Sequence, residues 1–175
     1  MLKKKLKLFT CELIKSKFFL LLISFVFCSL LKPSKIFAEV IYVDQNDTQG
    51  LIDAINIANS NEGADVINLF QNSTYLLIEK NNDLYSKNGL PVINSEITLN
   101  GNNATIIRNS SENFRIITLT TIGKLTINNL IIKGGYDDDR TDNFGGGGIL
   151  NFGGNLIVND SVIENNQTEW GGGGG

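Results

Sequence analysis

The chain has 175 residues, 42% of them hydrophobic, with 15 Lys+Arg against 18 Asp+Glu, no His and two Cys. Without His there is no imidazole catalysis, and both thiols, Cys11 and Cys28, fall near the start, which leaves the remainder without thiol chemistry or a typical zinc site. The acidic balance argues against a nucleic-acid partner, which needs a basic footprint.

Residues 1–17 carry six lysines (Lys3, Lys4, Lys5, Lys7, Lys15 and Lys17) against one acid, Glu12, and the next 14 residues, 18–31, carry no charge. "KPSKIFA" follows, with the small Ala38 before Glu39. A basic start, a short apolar run and a small residue at the junction describe a secretory signal peptide over 1–38, cut between Ala38 and Glu39. The apolar run is shorter than the ~20 residues of a membrane span, and Phe27 before Cys28 is too large for a lipoprotein site. The leader holds eight basic residues and one acid, so its removal leaves 137 residues with 7 Lys+Arg, 17 Asp+Glu, a net charge of −10 and no cysteine. Such a secreted domain holds itself together by burial and backbone hydrogen bonds.

In "TQGLIDAINIANSNEG" the residues Leu51, Ile52, Ile55 and Ala58 share one face of a helix, with Thr48 as the expected N-cap and "NSNEG" as the stop. A helix this short does not persist alone in water, so its apolar face must cover something.

After Gly63 the apolar pattern alternates: Val66 to Leu69, Tyr75 to Ile78, Ile97 to Leu99, Thr105 to Ile107, Ile116 to Leu119, Leu125 to Ile127, Leu130 to Ile132, Leu156 to Val158, and Val162-Ile163. Many short strands bounded by Asn, Gly, Ser or Asp indicate an all-β architecture. Their order repeats. "GKLTINNLIIKGG" (123–135) and "GNLIVNDSVIENN" (154–166) superpose at an offset of 31, and "EITLNGNNATIIRN" (96–109) is a looser copy with an insertion. A glycine block at 145–148 recurs at 171–175. Self-similarity at this period signals a solenoid whose repeats bury their apolar faces against one another. Asn100-Gly101 is also a strong hairpin signal and would make the sheet antiparallel, but the equivalent junctions, Asn128-Asn129 and 159–161, suit bends in a parallel coil. Asparagines at matching bends, such as Asn128 and Asn159, are placed to stack as amide ladders.

The segment "DQNDTQGLIDAINIANSNEGADVINL", followed by "LPVINSEITLNGNNATIIRN", "GKLTINNLIIKGG" and a Gly-Gly-Gly-Ile-x-Asn repeat, resembles the CSLREA-type, pectin-lyase-like family of bacterial secreted and surface proteins. The resemblance covers nearly all of 43–175; "GLIDAI" stands where relatives have Gly-Ser-Leu-Arg-x-Ala-Ile, so the Ser and the Arg are missing. It implies a right-handed single-stranded parallel β-helix with a short N-terminal capping α-helix. The organisation is then a signal peptide (1–38), an N-terminal strand and capping helix (39–64), and β-helix coils (65–175) truncated at the start of a further repeat.

The candidate site for chemistry is "GGYDDDRTDNFGG", where Asp137, Asp138, Asp139 and Asp142 offer oxygen ligands for Ca²⁺, with Arg140 as a basic partner. β-Helix lyases use Ca²⁺ between acids and a uronate, and some hydrolases use clustered aspartates. Set against this, a charge run of this kind is ordinarily a solvated loop on an acidic surface, and no second Asp cluster completes a cage. Trp170, Tyr136, Phe144 and Phe152 are candidates for sugar stacking, or simply for packing beside turns. No catalytic, cofactor or metal-ligand residue is assigned; Ala38 and Glu39 are named as the cleavage junction. The chain is expected to be the N-terminal part of an exported, non-enzymatic adhesin or envelope-associated binding protein, meeting extracellular polysaccharide or a cell-surface partner. Any membrane association would run through the secretion signal or a C-terminal anchor. The alternatives are a pectate-lyase-like enzyme (a polysaccharide lyase or glycoside hydrolase) and an autotransporter passenger.

Overall fold

The computed structural model describes residues 37–140 and 144–170; most of the expected leader, Asp142 and the second glycine block lie outside them. In chain order the elements are β1 (Val40–Val43), α1 (Thr48–Ser60), β2 (Ala64–Leu69), β3 (Thr74–Leu77), β4 (Glu96–Arg108) and β5 (Ile117–Leu119). They continue with β6 (Lys124–Lys133), β7 (Tyr136–Asp137), β8 (Ile149–Asn151), β9 (Asn155–Asn159), β10 (Val162–Glu164) and β11 (Gln167–Thr168).

Alternation builds the walls, because successive side chains of a strand point to opposite faces. On the first wall β2, the start of β4, the start of β6 and β9 stack in parallel register. Ile67, Leu99, Ile127 and Val158 form one inward column, and Asp65, Ile97, Leu125 and Leu156 form its neighbour. Strand β1 adds a parallel partner to β2. The second wall repeats the scheme: Tyr75, Ile106, Ile132 and Ile163 align from β3, the ends of β4 and β6, and β10. A third wall is thinner, with β5 on β8 and single bridges from Asn88 to Arg115 and from Ile93 to Leu119. The chain is a parallel β-solenoid of about 3 turns with one short helix.

The bends use asparagine twice over. The side chains of Asn68, Asn100, Asn128 and Asn159 form a continuous ladder, each Nδ2 donating to the Oδ1 one coil earlier at 2.9, 2.9 and 2.8 Å. The residue after the ladder position turns through the left-handed region at Asn129 (φ 52°) and Asp160 (φ 47°), which short polar side chains tolerate better than others. The hairpin reading of Asn100-Gly101 is therefore overturned. Strand β4 pairs in parallel with β6 on both sides of that point, and the register shifts between Asn100 and Ala104. The extra residues bulge outward at Asn102 and Asn103, while the Asn100 amide remains a rung of the ladder. The insertion expected in this copy lies there.

The first glycine block is explained by close backbone approach. A Cβ on Gly147 would fall onto the Gln167 carbonyl, and one on Gly135 onto the Gly147 carbonyl. The carbonyls of Gly147 and Gly148 accept from the amides of Ile116 and Ile117, at 3.2 and 3.0 Å. Side chains here would push the coils apart.

Helix α1 packs against β1–β4 through Leu51, Ala54, Ile55 and Ala58, all buried. Ala54 takes the place on the buried face that the pattern assigns to Ile52, which is only partly covered. The N-cap is also corrected by one residue: Asp47, not Thr48, accepts the Gly50 amide at 2.8 Å, because its carboxylate reaches the third amide from outside the helix. At the other end the Asn59 amide ties the helix to the first coil, donating to the Val92 carbonyl at 2.8 Å and accepting from the Asn94 amide at 3.1 Å.

Candidate functional site

The start of the aspartate loop is anchored by a buried ion pair. Arg115 stands in a run, 114–119, whose residues are all buried, so it is enclosed although its neighbours Phe114 and Ile116 point to the opposite face of an extended segment. A buried guanidinium needs a carboxylate, and Asp137 supplies it: Arg115 Nη2 donates to Asp137 Oδ2 at 2.7 Å, with side-chain exposures of 0% and 3%. The other carboxylate oxygen of Asp137 accepts from Ser86 Oγ at 3.0 Å. The first aspartate of the loop is thus turned inward, away from any ligand at the surface.

Ser86 is held in place by strained backbone. Tyr85 and Ser86 have φ of 57° and 88°, unusual for residues with side chains. Buried Asn88 stabilises them: its Nδ2 lies 2.8 Å from Asn82 Oδ1, 2.7 Å from the Leu84 carbonyl and 2.9 Å from the Ser86 carbonyl. Its Oδ1 accepts from the buried Thr118 hydroxyl at 2.5 Å. Ser86, Asn88, Arg115, Thr118 and Asp137 therefore form one polar network joining three coils. The sequence held one signal for Arg115, a lone charge flanked by the apolar Phe114 and Ile116; Asn88 and Ser86 sit in a long loop that carries no comparable pattern.

The remaining acids divide. Asp138 Oδ2 accepts from Asn113 Nδ2 at 3.1 Å, and the Asp139 amide lies 3.4 Å from Asp137 Oδ1. Among the described residues no group of three His, Cys, Asp or Glu side chains is arranged to hold a metal ion. Arg140 turns to the next coil, pairing with Glu169 at 2.8 Å and lying 5.5 Å over the Trp170 ring.

The four candidate aromatics also separate. Phe144 and Phe152 pack with Tyr85, with ring centroids 4.8 Å apart for the two phenylalanines and 4.7 Å for Tyr85 and Phe152. Tyr136 and Trp170 instead border an open polar patch with Arg140 and Glu169. The Tyr136 hydroxyl donates to Glu169 Oε1 at 2.8 Å. That hydrogen bond, and secondarily the one from Arg140, holds the Glu169 carboxyl below its usual range, and the same contact raises the Tyr136 phenol. The patch offers an indole 48% exposed, a guanidinium and a carboxylate on neighbouring coils. This set of groups can stack on a sugar ring and bond its hydroxyls.

A separate cleft of about 570 Å³ opens between α1 and β3, lined by Thr48, Gln49, Ile52, Leu76, Ile78 and Lys80. Its Lys80 is paired with Asp83 at 2.6 Å. Among the described residues no helix is long and apolar enough to cross a membrane. No family model, curated protein or solved structure matches the chain.

Proposed function

We propose that the chain is the N-terminal portion of an exported β-helix protein that works by presentation, as a rigid stack whose lateral face binds extracellular polysaccharide or another cell-surface component. The reading retains the resemblance to the CSLREA-type secreted proteins and export by a leader cleaved after Ala38. The observation that carries it is the state of the fourth coil. Val158 stands in the same inward column as Ile67, Leu99 and Ile127, yet it is 39% exposed while those three are buried. An inward apolar column open at one end is completed by another coil, as nearest-neighbour stacking in a solenoid requires.

The contact surface is the patch of Tyr136, Arg140, Glu169 and Trp170. The Asp137 carboxylate, engaged with Arg115 and Ser86, acts as a structural pin for this face. The experiment is retention of the purified protein on insoluble acidic and neutral polysaccharides, together with release of unsaturated or reducing sugar ends, each with and without Ca²⁺. Retention that Trp170→Ala weakens several-fold, without release of ends, is the expected result. Polysaccharide cleavage by the protein would replace the binding reading with the lyase or hydrolase one.

A further inference from the structure

The inward column of the first wall contains one residue that its chemistry does not explain. Ile97, Leu125 and Leu156 fill three coils, but at the same position in the first coil stands Asp65, with 0% of its surface exposed. One oxygen, Oδ1, accepts a single hydrogen bond, from the Glu39 amide nitrogen at 2.7 Å. The other, Oδ2, is buried and has no hydrogen-bond partner. No ion pair involves Asp65 among the described residues. A buried carboxylate in this state is costly unless a cation and further donors reach it.

The donor that does reach it is the nitrogen of the bond between Ala38 and Glu39. The Glu39 carbonyl accepts from the Val66 amide at 2.8 Å, which fixes Glu39 directly over Asp65. The Glu39 side chain points elsewhere, its Oε2 accepting from Asn61 Nδ2 at 3.1 Å. Before that nitrogen the side chains of Ala38 and Phe37 are exposed, Phe37 at 77%.

We propose that Asp65 is a binding site for the chain's own α-ammonium, created when the leader is removed between Ala38 and Glu39. This rests on the cleavage assigned above. Hydrolysis by an export peptidase adds one water across the amide: Ala38 leaves with the carboxylate, and Glu39 keeps the nitrogen, which takes up a proton. The resulting ammonium has three N–H donors where the amide had one. It sits 2.7 Å from Oδ1, supplies the missing cation and has two further N–H donors to offer Oδ2. The first coil is thereby pinned to β1 by an ion pair that the leader-bearing chain cannot make.

Gly63 supplies an independent check. A Cβ there would lie 2.6 Å from the Ala38 nitrogen and 2.7 Å from the Phe37 carbonyl carbon. Those atoms depart with the leader, so Gly63→Ala is expected to cost more in the unprocessed chain than in the processed one.

The test begins with the N-terminus of the exported protein, read by intact mass and sequencing. It continues with the processed chain bearing a free Glu39 amine and the same chain N-acetylated, each with Asp65 or Asp65→Asn, compared by denaturant unfolding. The processed chain, 39–175, contains the helix and every strand of the described fold, the first of which begins at Val40. With the free amine, Asp65→Asn is expected to lower the folding equilibrium constant on the order of 100-fold. In the acetylated chain the same substitution has little effect or stabilises, because an uncompensated charge is removed. A start at any residue other than Glu39 overturns both the cleavage assignment and the proposal. A start at Glu39 with equal Asp65→Asn effects in the two chains overturns the ion pair alone.

Discussion

The third and fourth coils carry nearly the same sequence and end in different states. Strands β6 and β9 align residue for residue, Leu125 on Leu156 and Ile127 on Val158, and share the Asn128–Asn159 rung. Leu125, Ile127, Leu130 and Ile132 are at most 1% exposed, whereas Leu156 and Ile163 are half-buried and Val158 is exposed. The inward pattern is therefore a property of the repeat, but burial is a property of having a coil on each side. Stability in such a stack is a sum over neighbours, and matched substitutions in the two coils measure the difference.

The largest contrast is expected at the polar pin. Asp137 on β7 is enclosed with Arg115, and its register partner in the fourth coil is Thr168 on β11. Asp137→Ala removes a carboxylate from a buried guanidinium and should cost about 3 kcal/mol in chemical denaturation. Thr168→Ala should stay within about 0.5 kcal/mol. The apolar columns come next. Ile127→Ala opens a cavity between two coils and is expected to cost about 2–5 kcal/mol. Val158→Ala removes a side chain that solvent already reaches and should cost clearly less than half of that. Equal costs at 127 and 158 would mean that Val158 is packed as tightly as its counterpart.

A smaller effect belongs to the ladder. Asn128→Ala removes two rungs, to Asn100 and Asn159, while Asn159→Ala removes one. At about 0.5–1.5 kcal/mol per bond, the first substitution should shift the unfolding midpoint roughly twice as far. The smallest effect is electrostatic and lies on the patch joining the two coils. Glu169 has its carboxyl held low, so its contribution is present above the unfolded carboxyl range and is lost as pH falls through the folded value. Tyr136 is shifted up, so its contribution is present below the unfolded phenol range and is lost as pH rises through the folded value. Fluorescence of Trp170, the only tryptophan, should report both transitions, and Glu169→Gln should remove them.

These contrasts also show which features the sequence made legible. Alternation and the 31-residue offset specified the strands and their parallel register because burial of one face in each wall fixes both. The bend asparagines were readable for the same reason, since a ladder needs identical residues at one position of each coil. The interior side of the aspartate loop was not. "YDDDR" looks like a solvated charge run, and only the buried pairing with Arg115 reveals that Asp137 is enclosed. Asp65 was hidden in another way: in "GADVINL" it lies next to a turn, where an acid is unremarkable, and its column becomes visible only once Ile97 and Leu125 are stacked beneath it. Short-range pattern reports the face a residue occupies, while its partner from another coil depends on register.

Native-state amide hydrogen exchange of β6 against β10 tests the account most directly. If burial comes from neighbours on both sides, the amides of residues 125–132 should be protected close to the global unfolding free energy. The amides of Val162 and Ile163 should exchange through local opening at markedly lower protection. Equal protection of the two strands would contradict the claim that the fourth coil is open.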